Sequence, residues 1–250
     1  MNKKIKKVIV YIFKWVALGF LMGVVSGGVG ALLAKGVSFV TALREDFSLL
    51  LFFLPIGGII SVFIYKRLKT QHMNTELIIE SLYSDKKVSW RIIPAIFSAT
   101  LISQTFGASA GKEGAALQLG GGFASLFARL LKLEIRDARI LTVCGMGGFF
   151  AALFGAPLGT CIFAVEVAVI GKMYISALFP ALVSCFTAAT LSKFLGVEAE
   201  RFYIPDIPQF NLYSVLKVIA ISVCALIISV VFCKLLIFCE ELFPRVIKNA

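Results

Sequence analysis

The sequence has few charged residues, a single histidine and no cysteines spaced as metal ligands. Asp, Glu, Lys and Arg make up 16% of the 250 residues, and His72 is the only histidine. All six cysteines fall in apolar stretches, so we interpret them as small buried residues. We therefore expect no metal and no cofactor, and the low charge excludes an ordinary water-soluble domain.

Hydrophobic residues dominate instead, at 59% of the chain, with a mean hydropathy of +0.94. This composition predicts an all-α polytopic membrane protein, here a single transmembrane domain over residues 1–250 with tilted and broken helices. The predicted helical segments are 8–43, 47–65, 92–110, 114–131, 140–154, 157–170, 174–194 and 212–238. Residues 66–91 form a polar loop in which 73–82 is predicted to be a short helix.

The positive charge of the chain is spread over loops and helix ends. The formal net charge is +11, yet the basic residues do not share one soluble face. This arrangement favours anionic membrane lipid as a partner and argues against nucleic acid. Lys3, Lys4, Lys6 and Lys7 precede a first apolar run that is too long for a signal-peptide core. We expect a multi-pass protein of the cell membrane with a cytoplasmic N-terminus and a cytoplasmic 66–91 loop.

Residues 107–122 combine many glycines with one lysine and one glutamate, between two apolar runs. A helix that starts inside a membrane leaves its first N–H groups unpaired, and its dipole favours an anion there. Glu113 falls in the predicted first turn, so its carboxylate can take the place of an anion and leave when it is protonated or displaced. The stretch therefore predicts an ion site built on a broken helix, as in transporters.

Two enzyme motifs compete with this interpretation. Residues 107–111 match the G-x-S-x-G nucleophile elbow around Ser109, but that elbow needs a preceding strand and a following histidine, whereas His72 comes earlier. The phosphate loop also fails, because the glycine spacing is one residue short and Glu113 stands where Ser or Thr is needed. We do not expect an enzyme.

Other polar residues allow both a structural and a functional interpretation. The short helix after Asn74 is either a solvated capping helix or one whose N-terminus lines an inner anion entrance. Glu166 lies in an apolar segment, where a carboxylate suggests function but can also cap a neighbouring helix. His72 is interpreted as a loop histidine rather than a ligand or a proton relay.

Three ordered segments resemble the CLC family of chloride channels and proton-coupled anion antiporters. Residues 111–121 resemble the signature G-R/K-E-G-P-x-x-Q-x-G-G, and residues 151–158 with Phe163 and Glu166 resemble A-A-x-F-x-A-P-L followed by F-x-x-E. Upstream, residues 90–94 are similar to W-R-x-x-P. The resemblance covers about 47–183 and implies one of the two inverted helical repeats of that fold.

The resemblance also implies roles for particular residues. Glu113 corresponds to the gating glutamate, and backbone N–H groups around it would hold the outer anion. The residues implied at that site are Gly111, Lys112, Glu113, Gly114 and Ala115. The family further implies a homodimer in which each subunit carries its own anion pore.

Some positions depart from the family pattern. Glu166 matches the first of two consecutive glutamates on the proton path, but Val167 replaces the second, which puts proton coupling by that route in question. Met73 and Asn74 stand near the place of an anion-binding serine, and Ala115 replaces the proline of the signature. Both features are similar to the fluoride-exporting branch.

The second repeat of the family has no counterpart in this sequence, so we expect the chain to be incomplete. We predict anion transport, with chloride preferred over fluoride, by a CLC-type channel or exchanger that Glu113 gates. One alternative is proton-coupled fluoride export. The other is a half-protein that transports nothing itself and only associates with membrane partners.

Overall fold

The described part of the chain, a computed structural model covering residues 3–84, 88–168, 173–198 and 211–246, contains helices and no β-strand. The predicted all-α fold is confirmed. In chain order the α-helices are α1 (Lys3–Asp46), α2 (Leu54–Leu68), α3 (Thr75–Glu80), α4 (Ile92–Thr105), α5 (Lys112–Leu130), α6 (Ile135–Phe154), α7 (Pro157–Val167), α8 (Leu178–Phe194) and α9 (Leu212–Val246). Short 3-10 helices, Ser48–Phe53 and Ile175–Ala177, precede α2 and α8.

The chain divides into two compact units, Met1–Glu200 and Arg201–Ala250. As far as it is described, the second unit is α9, a helix of 35 residues with a stretch long and apolar enough to cross a membrane. The single domain over residues 1–250 stays a prediction. The paragraphs below concern the first unit.

Helix length separates full spans from partial ones. By length and composition, the described residues contain five candidate spans: Val8–Asp46, Ser48–Leu68, Ile135–Phe154, Ile175–Phe194 and Leu212–Cys239. The apolar helices α4 and α7 have only 14 and 11 residues, fewer than the roughly 20 that a span requires. Helix α7 is one of the two short segments that the sequence predicted on either side of Gly155, whereas the other, α6, has the length of a full span.

The prediction that a helix continues to residue 110 is wrong. Helix α4 ends at Thr105, because Gly107 adopts φ +75, a left-handed conformation that terminates an α-helix. The amide of Gly107 donates to the Gln104 carbonyl at 3.1 Å, and the amide of Ala108 donates to the Ser103 carbonyl at 2.9 Å. These bonds satisfy the last carbonyls of α4, so the chain leaves the helix as an ordered linker.

Several other predicted boundaries also differ, among them the end of α9, which is Val246 instead of 238. Helix α6 begins at Ile135 instead of 140, because its polar first turn continues the helix beyond the apolar run. Asp137 in that turn suits the positive end of the helix dipole and forms an ion pair with Lys14 of α1. Residues 48–53, predicted as part of an α-helix, form a 3-10 helix instead.

Helix α6 is the centre of the first unit, and every residue from Ile140 to Leu153 is buried. It packs against α5 at Gly120 and Gly145, where the two backbones touch. A Cβ on Gly120 would lie 2.5 Å from the carbonyl carbon of Gly145. Such close packing is the main source of helix association in lipid, where burial of apolar surface gives no advantage.

The glycines of α1 have the same function against α8. Gly19, Gly23 and Gly27 lie one turn apart, and a Cβ on each would come within 2.9 Å of a backbone oxygen of α8. The roughly helical spacing of these glycines in the sequence itself predicts close packing of the first span on a neighbour, and the structure confirms it. Helix α8 is in turn joined to α6, since the Ser184 hydroxyl donates to the Cys144 carbonyl at 2.8 Å and that of Ser192 to Ala152 at 2.7 Å.

The glycine contact between α5 and α6 predicts the effect of adding one methyl group. Gly120→Ala should destabilise the protein by about 1–3 kcal/mol, because the new Cβ collides with backbone that cannot rotate away. Gly28→Ala in α1 is the matched control, since nothing lies within 4 Å of its Cβ position. Thermal unfolding in detergent should show a lower Tm for Gly120→Ala alone. Equal Tm values for the two variants would contradict the backbone contact.

Candidate functional site

Residues 106–111 form a pinned linker between α4 and α5. The Gln104 side chain reaches back from the end of α4, and its Nε2 donates to the Ala110 carbonyl at 2.5 Å. Arg44 of α1 donates from Nη1 to the Gln104 carbonyl at 3.2 Å. The linker is therefore held from two helices immediately before the residue that begins α5.

Glu113 is the second residue of α5, and its carboxylate turns back over the helix N-terminus. Gly111 is the N-cap, with extended φ and ψ of −72 and 153. The Glu113 Cδ lies 3.0 Å from the position of a Cβ on Gly111, and Oε2 lies closer still. Only glycine leaves room for this arrangement. The exposed carboxylate thus lies where the unpaired amides and the dipole of α5 favour a negative group.

Helix α3 begins beside the first turns of α5. The Gln118 Nε2 donates to the Thr75 Oγ1 at 3.1 Å, and that hydroxyl lies 3.4 Å from the position of a Cβ on Gly114. Farther along, Ile78 packs on Gly121. The two helices therefore run in the same direction, with both N-termini at the same level of the protein.

The predicted anion residues lie at these two helix starts. Residues 111–115 form the start of α5, with Glu113 exposed and Ala115 buried. Met73 is half-buried against the core. Asn74 is the N-cap of α3, because its Oδ1 accepts from the Leu77 amide at 2.9 Å, and both interpretations of this helix stay predictions.

The break between α6 and α7 also lies next to the start of α5. The Lys112 Nζ is 5.4 Å from the centre of the Phe154 ring, a distance typical of a cation–π contact. Phe154 ends α6, Gly155 follows with φ +66, and Pro157 begins α7. Three helix starts and one lysine are thus gathered around Glu113.

Glu166 is not part of this group. It is exposed near the end of α7, nine residues beyond Pro157, which is roughly 13 Å along a helix. Val167 beside it is half-buried. The structure places Glu166 on the same helix that starts near Phe154, and its role on a proton path stays a prediction.

Sequence reasoning missed Gln104 and the pairing of Gln118 with Thr75. Gln118 belongs to the signature motif, so its side chain could have been suspected, whereas nothing in the apolar run marks Gln104 as the residue that fixes the linker. Ser109 is exposed in this linker between two helices, and no strand precedes it in the described residues. The hydrolase interpretation thus lacks the strand that it requires.

With this geometry established, comparison with known proteins assigns the family. The voltage gated chloride channel family matches residues 57–250, most of the sequence. The chain belongs to the CLC family. A chloride/fluoride channel protein of Pseudomonas syringae pv. tomato is 33% identical over 215 residues, which cover 85% of this CLC chain and 48% of that protein.

Solved structures agree with this assignment. The crystal structure of a CLC-type fluoride/proton antiporter matches with a TM-score of 0.85 at 31% identity, over 95% of this chain and 60% of that one. A slow cyanobacterial Cl⁻/H⁺ antiporter shares the fold, with a TM-score of 0.77 at 20% identity. An H⁺/Cl⁻ exchange transporter ClcA of Vibrio campbellii is 25% identical over 64% of this CLC chain. The chain spans about half the length of the first curated relative, at 48%, and 35% of ClcA.

The Gln104 contact predicts how the linker responds to mutation. Gln104→Ala removes the bond to the Ala110 carbonyl, which should weaken the linker by about 0.5–1.5 kcal/mol. Hydrogen exchange of residues 106–111 should become roughly two- to tenfold faster. Gln71→Ala is the control, because that side chain is exposed in the turn before α3. Unchanged exchange in Gln104→Ala would show that the side chain does not hold the linker.

Proposed function

We propose that this chain forms part of the anion pathway of a CLC-type transporter or channel, with Glu113 as its gate. The supporting observation is the carboxylate of Glu113, which turns back over the N-terminus of its own helix. A carboxylate in that position competes with a free anion for the same amides. The neighbouring starts of α3 and α7 add further positive helix ends to the same region.

The competition provides a gating mechanism without any large movement. While Glu113 is ionised and turned inward, it occupies the helix end and excludes an anion. When the carboxyl is protonated, or swings outward into the exposed space beside it, the amides of residues 111–115 become available. Anion binding and carboxylate binding then exclude each other, which is the minimum requirement for a gate that the substrate can open.

The sequence prediction placed chloride before fluoride as the substrate. Both relatives above 30% identity name fluoride, and one of them names chloride as well: the protein at 33% is a chloride/fluoride channel protein, and the structure at 31% is a fluoride/proton antiporter. The exchange transporter at 25% identity is named for chloride and protons. Asn74, Met73 and Ala115 support fluoride as well, as departures from the chloride-type motif. We therefore propose fluoride as the preferred anion and chloride as the second candidate.

We propose protons as the coupled substrate, with Glu166 as the second carboxylate, after Glu113, that a proton binds on its path. Glu166 has an ionisable carboxyl group that is exposed on α7, whereas the Val167 side chain has no group that can carry a proton. A channel without proton coupling is the alternative, and it is favoured by the absence of a second carboxylate at position 167.

The distribution of basic residues supports the predicted orientation. The Lys14–Asp137 ion pair places the early part of α1 beside the start of α6. The α5–α6 turn at the same end carries Arg129, Lys132 and Arg136. By the positive-inside rule this end of the protein is cytoplasmic, so we propose that the N-terminus lies on the cytoplasmic side of the cell membrane.

Partners of this chain follow from the same proposal. We propose a homodimer, as the family resemblance implies, and contact with membrane lipid along the exposed apolar helix faces. A half-protein that transports nothing itself and only associates with membrane partners is the second candidate. Anion flux that appears only after a second-repeat polypeptide is added would favour that candidate. Catalysis is not part of the proposal.

Mutation of the gate tests the proposal directly. In liposomes, the natural protein that contains this chain should move fluoride, and chloride more slowly, in an ion-selective electrode assay. Glu113→Gln imitates the protonated carboxyl, so the pH dependence of the flux should flatten. Glu45→Gln, an exposed glutamate near the end of α1, is the charge-matched control. A Glu113→Gln protein with the wild-type pH profile would refute the gate.

A second variant tests proton coupling. Glu166→Gln should abolish proton movement, followed with a pH-sensitive dye inside the vesicles, while anion flux continues. Proton movement should stop because an amide cannot carry the proton. Anion flux should continue because the helix N-termini around Glu113 are unchanged. Wild-type vesicles in which an anion gradient drives no proton movement would instead support a channel.

A further inference from the structure

A cavity of about 730 Å³ lies at the end of the first unit where α5 ends and α6 begins. The part of α5 that lines this cavity runs from Gly121 to Arg129, which is roughly 12–24 Å along the helix from Glu113. The walls of the cavity come from three directions. They include Ser84 and Val88 after α3, Ser125 on α5, and Thr142 on α6. The cavity is therefore distinct from the proposed anion pathway.

Three basic side chains line this cavity, namely Arg129, Lys132 and Arg139. None of its described lining residues is acidic. Close by in sequence are Glu134, whose side chain is exposed, and Asp137, which is already paired with Lys14. A concave site lined only by positive charges attracts an anion, because the low-dielectric protein walls focus the electrostatic field inside it.

The two arginines are held in place by backbone. Arg129 Nη2 donates to the Val88 carbonyl at 2.6 Å, and the Ser125 hydroxyl donates to the same oxygen at 2.6 Å. Arg139 Nη2 donates to the Ser84 carbonyl at 3.4 Å. A guanidinium carries five N–H donors in a plane that suits phosphate oxygens, so one such bond still leaves Arg129 able to bind an anion.

The mouth of the cavity is apolar. Ile135 lines it and is 63% exposed. Leu133 and Ala138 extend this apolar wall into the cavity. A ligand that suits these surroundings has a charged part for the arginines and an apolar part for the rim, and the volume falls in the usual range for small-molecule sites.

We propose that this cavity binds a phosphate group, either the headgroup of an anionic phospholipid or a free phosphate compound. The phosphate lies between Arg129, Arg139 and Lys132. In the lipid case the acyl chains follow the exposed surface of Ile135 at the mouth. The site holds the α5–α6 turn and thereby the cytoplasmic end of the helix that carries Glu113.

The contribution of Lys132 to phosphate binding can be tested by replacing this residue with glycine. Lys132 adopts φ +50, a left-handed conformation that glycine tolerates better than lysine, so Lys132→Gly removes the charge without straining the fold. Lys69 ends α2 in the same conformation, with φ +56, and does not line the cavity. Lys69→Gly therefore controls both for the loss of one positive charge and for the backbone change.

The natural protein would be purified in mild detergent and examined by native mass spectrometry with added dioctanoyl phosphatidylglycerol or phosphatidylcholine. Wild type should retain phosphatidylglycerol in preference to phosphatidylcholine. Lys132→Gly should reduce that retention about fivefold, the effect of one basic side chain near an anionic surface. Lys69→Gly should retain it as wild type does. An equal reduction in both variants would indicate general surface attraction and overturn the proposal.

Two further experiments identify the ligand and its binding site. Ala138→Leu adds bulk in the cavity without changing charge, so it should also reduce retention, whereas unchanged retention would place the lipid elsewhere. A thermal shift with pyrophosphate distinguishes the sources. Stabilisation of wild type but not of Lys132→Gly, without lipid retention, would assign a free phosphate compound. The absence of both lipid retention and pyrophosphate stabilisation would refute the phosphate site.

Discussion

The break in helical structure between Thr105 and Lys112 is the constraint on which the rest of the first unit depends. A helix that starts within a membrane exposes unpaired amides, and lipid offers them no hydrogen bonds, so protein or water must surround that point. Here α3, the α6–α7 break and the pinned linker surround it. The same amides that make the break unstable in lipid make it suitable for an anion.

Close glycine contacts position this interruption. Helix α5 approaches α6 at Gly120, and α6 is itself held by α1 and α8 through further glycines and two serine hydroxyls. Because backbones touch, the distance between α5 and α6 has little freedom, unlike a contact between long side chains. The start of α5 is therefore fixed relative to Phe154 and to the start of α7, although both are about 40 residues away in the sequence.

The sequence predicted some of this arrangement and could not predict the rest. The glycines and charges of residues 107–122 indicated a break, and the spacing of Gly19, Gly23 and Gly27 indicated close packing. The end of α4 was missed because residues 92–110 carry no charge, so hydropathy alone could not distinguish the end of the helix from the linker that follows. The Gln104 bond and the direction of the Glu113 carboxylate depend on folded geometry, which periodicity does not contain.

The strength of the Glu113 contact also bears on the proposed gate. A carboxylate at a helix N-terminus gains typically 0.3–1 kcal/mol, and about 2 kcal/mol when partly buried. At tenfold per 1.4 kcal/mol, even the larger value corresponds to roughly thirtyfold in occupancy, which an anion or a proton can reverse. A buried salt bridge would hold the acid far more firmly, because its separation leaves a charge in a dry interior. Exposure of Glu113 beside a helix end, rather than burial against an arginine, is thus the arrangement that a reversible gate requires.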